Sequence, residues 1–436
     1  MFPAPLEKRD SSSSSHSQHD LPTPLPAKTV SSAPALKKVV AAGVLFIVVF
    51  WICALHLFGM FYDNSQHAHR LRVLIVDFDG GSVGSALVSA VDAVNGQKTW
   101  PTFIIDSASA TTPEDVQHKV WDGDYWGAIY ATAGATSRFT SALANNTEAT
   151  SYDASQALMY VGLEQRYNTA WTGFVLSAIT KIVQSTAHVF GTQTVAPLLS
   201  TGATYGSNSA AVLANPIGSS FVNLVPFEFG SRIIFNTIGF VFPSLFQFFF
   251  IMALNSVFTL TGVYGNMSLR RHIKYRLAIG NVWSLLTALS VVGWYLMFDE
   301  SYDISAKNFF ALWAIAWLNS IITFDFFDIL TTYVPPAFIS YPTVMWIILS
   351  VSSVIYPLEL SNPWYRIHYA VPSHAVWSVM ITIFGAGAVN TLYYNLPILF
   401  AWVVVLKLGV FFSLRRRARL GAAAPPLPLP SGIKAP

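Results

Sequence analysis

The sequence predicts a multi-pass α-helical membrane protein with about six transmembrane helices and an α/β extracytoplasmic domain between helices 1 and 2. Three observations carry this. Hydrophobic residues make up 53% of the chain and charged residues 11%, outside the balance of a soluble domain. A bilayer core of about 30 Å takes about 20 apolar residues at about 1.5 Å each. The runs Val39–Met60, Ile233–Val263, Leu277–Phe298, Phe309–Leu330, Ala337–Tyr356 and Leu396–Phe412 meet that length. Basic residues then mark alternate ends: Lys37 and Lys38 before the first run; Arg270, Arg271, Lys274 and Arg276 between the second and third; Arg415, Arg416, Arg417 and Arg419 after the sixth. Cytoplasmic flanks retain such residues, so both termini are expected in the cytosol.

The expected organisation follows in order. Residues 1–36 form a disordered cytosolic tail carrying the run Ser11 to Ser15, and residues 37–61 are an uncleaved signal anchor, too far from Met1 and too long for a cleaved signal peptide. Residues 62–231 form the α/β domain. Residues 232–414 are a five-helix bundle with an outer interfacial segment at 363–390, and residues 415–436 a basic, then Pro-rich, cytosolic tail with a minimal PxxP at Pro425 to Pro428.

Within the α/β domain, Leu71–Phe78 reads as a buried strand, and Val83, Leu87, Val88, Val91 and Val94 follow at helical spacing. Thr102–Asp106 is a second strand. Thr112, Pro113 and Asp115 then supply an N-cap, an N1 proline and an N3 acid for a helix ending near Gly123. A strand at Tyr125–Ala131, a short helix near Thr136–Ala144, a strand at Ala157–Leu163 and a helix from Thr169 to about His188 complete a β-α alternation that favours a parallel or mixed sheet.

Several functions are disfavoured. A net charge of +3, with no basic cluster interleaved with aromatics outside the membrane flanks, argues against nucleic acid. The single cysteine, Cys53, builds neither a disulfide framework nor a cysteine metal site. Asp77-Phe78-Asp79 at a strand end superficially suggests a phosphotransferase, but the threonine expected two residues after the second Asp is Gly81. Neither G-x-G-x-x-G around Gly81 and Gly84 nor a P-loop occurs, so no nucleotide cassette and no cofactor is expected. His67 and His69 lack a third metal ligand nearby. The protein is read as no enzyme. Asn145-Asn146-Thr147 is a glycosylation sequon on the expected outer side; Asn266-Met267-Ser268 lies on the cytosolic side and should stay bare.

The order Val76-Asp77-Phe78-Asp79-Gly80-Gly81-Ser82-Val83-Gly84, Pro113, then Gly123-Asp124-Tyr125-Trp126-Gly127-Ala128-Ile129, resembles the fungal nitrosoguanidine-resistance membrane proteins. Tyr365-Arg366-Ile367-His368-Tyr369-Ala370-Val371-Pro372 and Phe384-Gly385 extend the likeness, which covers Ala35 to Leu414. That family is in turn similar to the membrane subunits of type-2 ABC exporters, which place an extracytoplasmic domain between their first two spans. The resemblance implies resistance to toxic amphipathic compounds by export, or a role in plasma-membrane lipid organisation. It also implies a plasma-membrane location, a homodimer, and a separate ATPase subunit where nucleotide drives transport. It supplies no catalytic residue. The competing class is a non-transporting regulator whose exposed domain binds a partner or senses lipid.

The residues themselves nominate a transport pathway. Asn236, Pro243 and Gln247 fall within about 40° of each other on the second span, and Pro243 frees the carbonyl of Gly239. Such a stripe turns from lipid, either to line a path or to bond other helices. Asp325 and Asp328 share a face near the cytosolic end of the fourth span, where both bilayer and helix dipole disfavour them. Lys407 lies at comparable depth on the sixth; all three are expected to snorkel to the headgroups, and the sharper alternative is an Asp325 to Lys407 pair with Asp328 reaching Arg270 or Arg271. Between the fifth and sixth spans, Val376, Met380, Ile383 and Phe384 share a helical face, with Trp364, Tyr365, Tyr369 and Trp377 as an aromatic belt, the pattern of an interfacial or re-entrant element.

Overall fold

The computed structural model describes residues 32–202, 205–298 and 304–423. The Ser11 to Ser15 run and the PxxP lie outside these residues. Helix α1 spans Ser32–Phe61 and so contains the first expected span. The strands and helices that follow are β1 (Arg72–Asp77), α2 (Ser82–Asp92), β2 (Thr102–Asp106), α3 (Pro113–Trp121), β3 (Gly127–Ala131), α4 (Ala135–Ala144), β4 (Leu158–Gly162), α5 (Ser177–Phe190) and β5 (Ser219–Asn223).

Each forms for a local reason. Thr112 caps α3, its hydroxyl accepting from the Asp115 amide while the Asp115 carboxylate reaches back to the Thr112 amide, the reciprocal box that the sequence foretold. The sheet runs β2-β1-β3-β4-β5 and is mixed: β1 is parallel to β2 and β3, β4 is antiparallel to β3, and β5 is parallel to β4. Gly127 and Gly162 face each other across the antiparallel pair, and the buried Trp171 ring lies where a Cβ on either would stand. Strand β5 was not foreseen. Its sequence, Ser219-Ser220-Phe221-Val222-Asn223, is too polar to stand out, and pairing with β4 decides its state. Val83, Leu87 and Val91 of α2 pack with Ile179 and Ile182 of α5 in one core, while Val116 and Val120 of α3 pack with Leu74 and Val76 in another.

The helical bundle comprises α6 (Phe235–Leu260), α7 (Leu269–Met297), α8 (Ala306–Tyr333), α9 (Ser340–Ser352), α10 (Pro372–Phe384) and α11 (Leu392–Ala423). Among the described residues, five helical segments are long and apolar enough to cross a membrane: those of α1, α6, α7, α8 and α11. The expected span Ala337–Tyr356 is corrected. Its helix, α9, has 13 residues, or about 20 Å, because Pro336–Phe338 forms a separate turn and the helix stops at Ser352. A sixth crossing exists only if Pro363–Ala370 and α10, bent by 78°, count as one span.

Two further boundaries differ. α11 continues through the basic cluster to Ala423, since Arg, Leu and Ala are good helix formers, so residues 415–423 are helix rather than tail. The helix at 372–384, expected as an interfacial or re-entrant element, is buried nearly all round, including six consecutive residues from Pro372 to Trp377, and its bend against Pro363–Ala370 is that of a broken span or a re-entrant loop. An interfacial helix keeps a polar face in water. α10 instead gives Val376 and Met380 to the bundle core, and His374 Nδ1 lies 3.0 Å from the Ser353 carbonyl. The Val389 amide, just beyond, donates to the Trp121 carbonyl of α3 at 2.8 Å. The aromatic belt divides: Tyr365 and Trp377 are buried, Trp364 and Tyr369 exposed.

Candidate functional site: charged and polar groups inside the bundle

Polar side chains inside an apolar bundle are expensive, and four helices converge on the largest group of them. Asp328 on α8 is fully buried, with Arg276 Nη2 of α7 at 2.6 Å and Arg417 Nη1 of α11 at 3.1 Å from Oδ1. Asn255 of α6 closes the ring. Its Oδ1 accepts from Arg276 at 2.8 Å, Arg417 at 2.6 Å and the Tyr264 hydroxyl at 2.9 Å, and its Nδ2 donates to Thr331 at 3.1 Å. Arg417 also donates to the Asp328 carbonyl, Thr331 and Thr332 at 2.7, 2.7 and 2.6 Å.

Asp328 therefore does not reach Arg270 or Arg271. Those two lie exposed in the first turn of α7, whereas Arg276 is buried further along the same helix. Buried positions on α7 recur as His272, Arg276, Gly280, Ser284 and Thr287, and it is this face that meets α8. That spacing of small and polar residues was the signal available for Arg276. Arg417 carried no such signal among four arginines in five positions.

Asp325 and Lys407 are brought together. Lys407 Nζ lies 3.1 Å from Oδ1 and 2.9 Å from Oδ2 of Asp325, with the carboxylate buried and the lysine about a third exposed. The α6 stripe faces inward with Pro243 and Gln247 buried, but no hydrogen bond among the described residues joins it to the ionic group. Asn236 Nδ2 donates to the Val354 carbonyl at 3.4 Å. Gln247 has neither amide atom partnered among the described residues. At the other end of the bundle, His56 Nε2 and His368 Nε2 lie 3.0 Å apart and the Tyr365 hydroxyl donates to the His56 carbonyl at 2.8 Å.

The sheet region's acidic pair serves its own turn. Asp77 Oδ1 accepts from the amides of Asp79 and Gly80, both at 3.0 Å. The Asp79 carboxylate accepts from Gly81, Gly84, and both the amide and hydroxyl of Thr136. A Cβ on Gly84 would collide with the Asp77 carboxylate, which explains the glycine there. His69 Nδ1 lies 2.9 Å from the Gln66 carbonyl, and no group of three metal-ligating side chains occurs among the described residues. Asn145 is exposed between α4 and the helix Asn146–Ser151, whose Thr147 amide it caps at 3.0 Å. Tyr152, nearby, donates to the Pro216 carbonyl at 2.5 Å, and burial pushes its phenol up to about 12.

Apolar helices of spanning length around a charged interior define an integral membrane protein of predominantly helical fold. A family of proteins of unknown function, DUF3533, matches residues 43–408, and the chain belongs to it. No solved structure matches the chain.

Proposed function

We propose that this protein moves or organises amphipathic molecules in a membrane: an exporter or lipid-handling protein of the nitrosoguanidine-resistance type, similar in layout to type-2 ABC exporters. The carrying observation is the bundle interior, where two carboxylates and three cations from α7, α8 and α11 lie within ion-pair distance. Ionisable groups at such depth mark a substrate path or a moving element more readily than a static anchor. Gln247, buried with a free amide on α6, adds a hydrogen-bonding group that a polar headgroup could use.

In this reading the sheet region stands outside the cytosol, both termini stand within it, the membrane is the plasma membrane, and Asn145 carries glycan. Two copies form the working unit, with any nucleotide energy supplied by a separate ATPase. A glycosidase-sensitive mass lost in Asn145→Gln supports this orientation; glycan at Asn266 overturns it. Transport itself is tested by reconstituting the full chain in liposomes and following labelled lipid or a cationic amphipathic drug, with and without ATP or a proton gradient. Gradient- or nucleotide-dependent flux is the expected result.

A second reading has its own support. A polar groove of about 240 Å³ on the sheet region, lined by Arg138, Glu148, Tyr152 and Asp153 among others, suits a protein partner better than a lipid. A non-transporting regulator predicts no flux from the purified chain under any condition while its deletion still alters lipid exposure in cells.

A further inference from the structure

The last turns of α11 carry two opposed sets of arginines. Arg417 points inward and is fixed by the bonds to Asp328, Thr331, Thr332 and Asn255 described above. Phe412, Arg415, Arg416, Arg419 and Leu420 lie at i, i+3, i+4, i+7 and i+8, which is one helical face. Together with Tyr333 at the end of α8 they line an open groove of about 410 Å³. The Arg416 guanidinium sits 5.1 Å over the Tyr333 ring and that of Arg415 5.3 Å over Phe411, so both are held by aromatics instead of trailing into solvent. Among the described residues, no acidic side chain lines the groove.

Below the arginines the same face is apolar and uncovered. Phe412 is 57% exposed and Leu408 58%, with Val404 and Val405 continuing the track toward the middle of the span. A cationic cradle at the helix end above an apolar track matches an anionic lipid, one headgroup with its acyl chain. Basic residues flanking a span need only be present to set orientation; orientation does not require three of them to converge on one groove with a neighbouring helix's tyrosine. The side chains of residues 424–436 include Lys434 and neither Asp nor Glu.

We propose that Arg415, Arg416 and Arg419, with Tyr333, bind the headgroup of an anionic phospholipid such as phosphatidylserine, whose acyl chain lies along Phe412, Leu408 and Val404. Because Arg417 sits on the opposite face of the same turns, an occupied groove would hold α11 against α8 where the buried ion pairs cross. The proposal does not depend on whether the protein transports.

The test uses the full chain purified in detergent, with lipid retention read by native mass spectrometry after adding phosphatidylserine or phosphatidylcholine. Phosphatidylserine should be retained about tenfold better, and R415Q/R416Q/R419Q should abolish that preference, since each basic residue at a membrane surface contributes severalfold. R270Q/R271Q/K274Q removes as many exposed charges from the neighbouring helix and should change it less than about twofold. Phe412→Ser should weaken phosphatidylserine retention, and water-soluble glycerophosphoserine should not displace the lipid. Equal retention of both lipids, equal loss from both triple variants, or full displacement by glycerophosphoserine, which would mean a simple anion site, each overturns the proposal.

Discussion

The sheet region and the helical bundle house their acids by opposite means. In the sheet region, Asp77 and Asp79 lie beside a glycine turn whose amides are free, and backbone N–H groups from Asp79, Gly80, Gly81 and Gly84 meet them. In the bundle, every amide near Asp325 and Asp328 is already spent on its own helix, so these acids must find side chains on other helices. An acid in the first setting fastens a turn. In the second it fastens helices together, and its loss is felt by all of them. Buried side-chain atoms without a hydrogen-bond partner among the described residues also occur in the sheet region, at Gln165, Asn168, Trp171 and Asn223.

The largest expected effect follows from this contrast. Asp328→Ala would leave Arg276 and Arg417 buried together without a counter-charge, a loss of about 3–5 kcal/mol, a large fraction of the net stability of a folded protein. Size-exclusion profile and thermal denaturation in detergent would show it. Asp79→Ala removes more hydrogen bonds than Asp328→Ala does, yet its donors lie in a part-exposed turn where water can replace it, so about 1–3 kcal/mol is expected. Equal losses from the two would break the comparison.

The sequence revealed the two regions unequally. In the sheet region, β1, β2, β3 and β4 fall within a residue or two of the expected strands, because alternation, the Thr112 cap and glycine turns are local signals. β5 has no such signal and exists through its pairing with β4. In the bundle, composition finds apolar length but cannot say where a helix ends. Ala337–Tyr356 has the length of a span while only Ser340–Ser352 is helical. The depth argument that paired Asp325 with Lys407 worked because both helices run the same way, and depth along a helix is countable from sequence. The partners of Asp328 were not countable. Which of the eight basic residues in the two clusters on α7 and α11 turns inward depends on rotation about each helix axis, fixed by packing.

A moderate effect sharpens the contrast within the bundle. Asp325→Asn and Lys407→Met should each impair stability more than the double change, with a coupling of about 1 kcal/mol, held down because Lys407 is about a third exposed. Strictly additive losses in that double-mutant cycle, measured by denaturation in detergent, would show that the two side chains snorkel independently.

The smallest effect belongs to the sheet region's own ion pair, Lys119 to Asp106 at 2.7 Å, where both side chains are about a third exposed. The Lys119 ammonium, bonding directly to the carboxylate, holds Asp106 below its ordinary value of 3.8, and Asp106 in turn raises Lys119 above 10.5. A depressed acid contributes stability above its unfolded value and loses it as pH falls through the folded one; a raised base contributes below its unfolded value and loses it as pH rises through the folded one. The pair's contribution should therefore be flat between about pH 4 and 10 and fall off on either side. Water screens it to under about 1 kcal/mol. Lys119→Met should lower the stability of the region around β2 and α3 by that amount at pH 7, read by hydrogen exchange, and by progressively less as the pH falls through the lowered value of Asp106. A loss as large as that from Asp79→Ala, or one that persists in acid, would mean that Lys119 matters through the packing of its methylene stem and not through its charge.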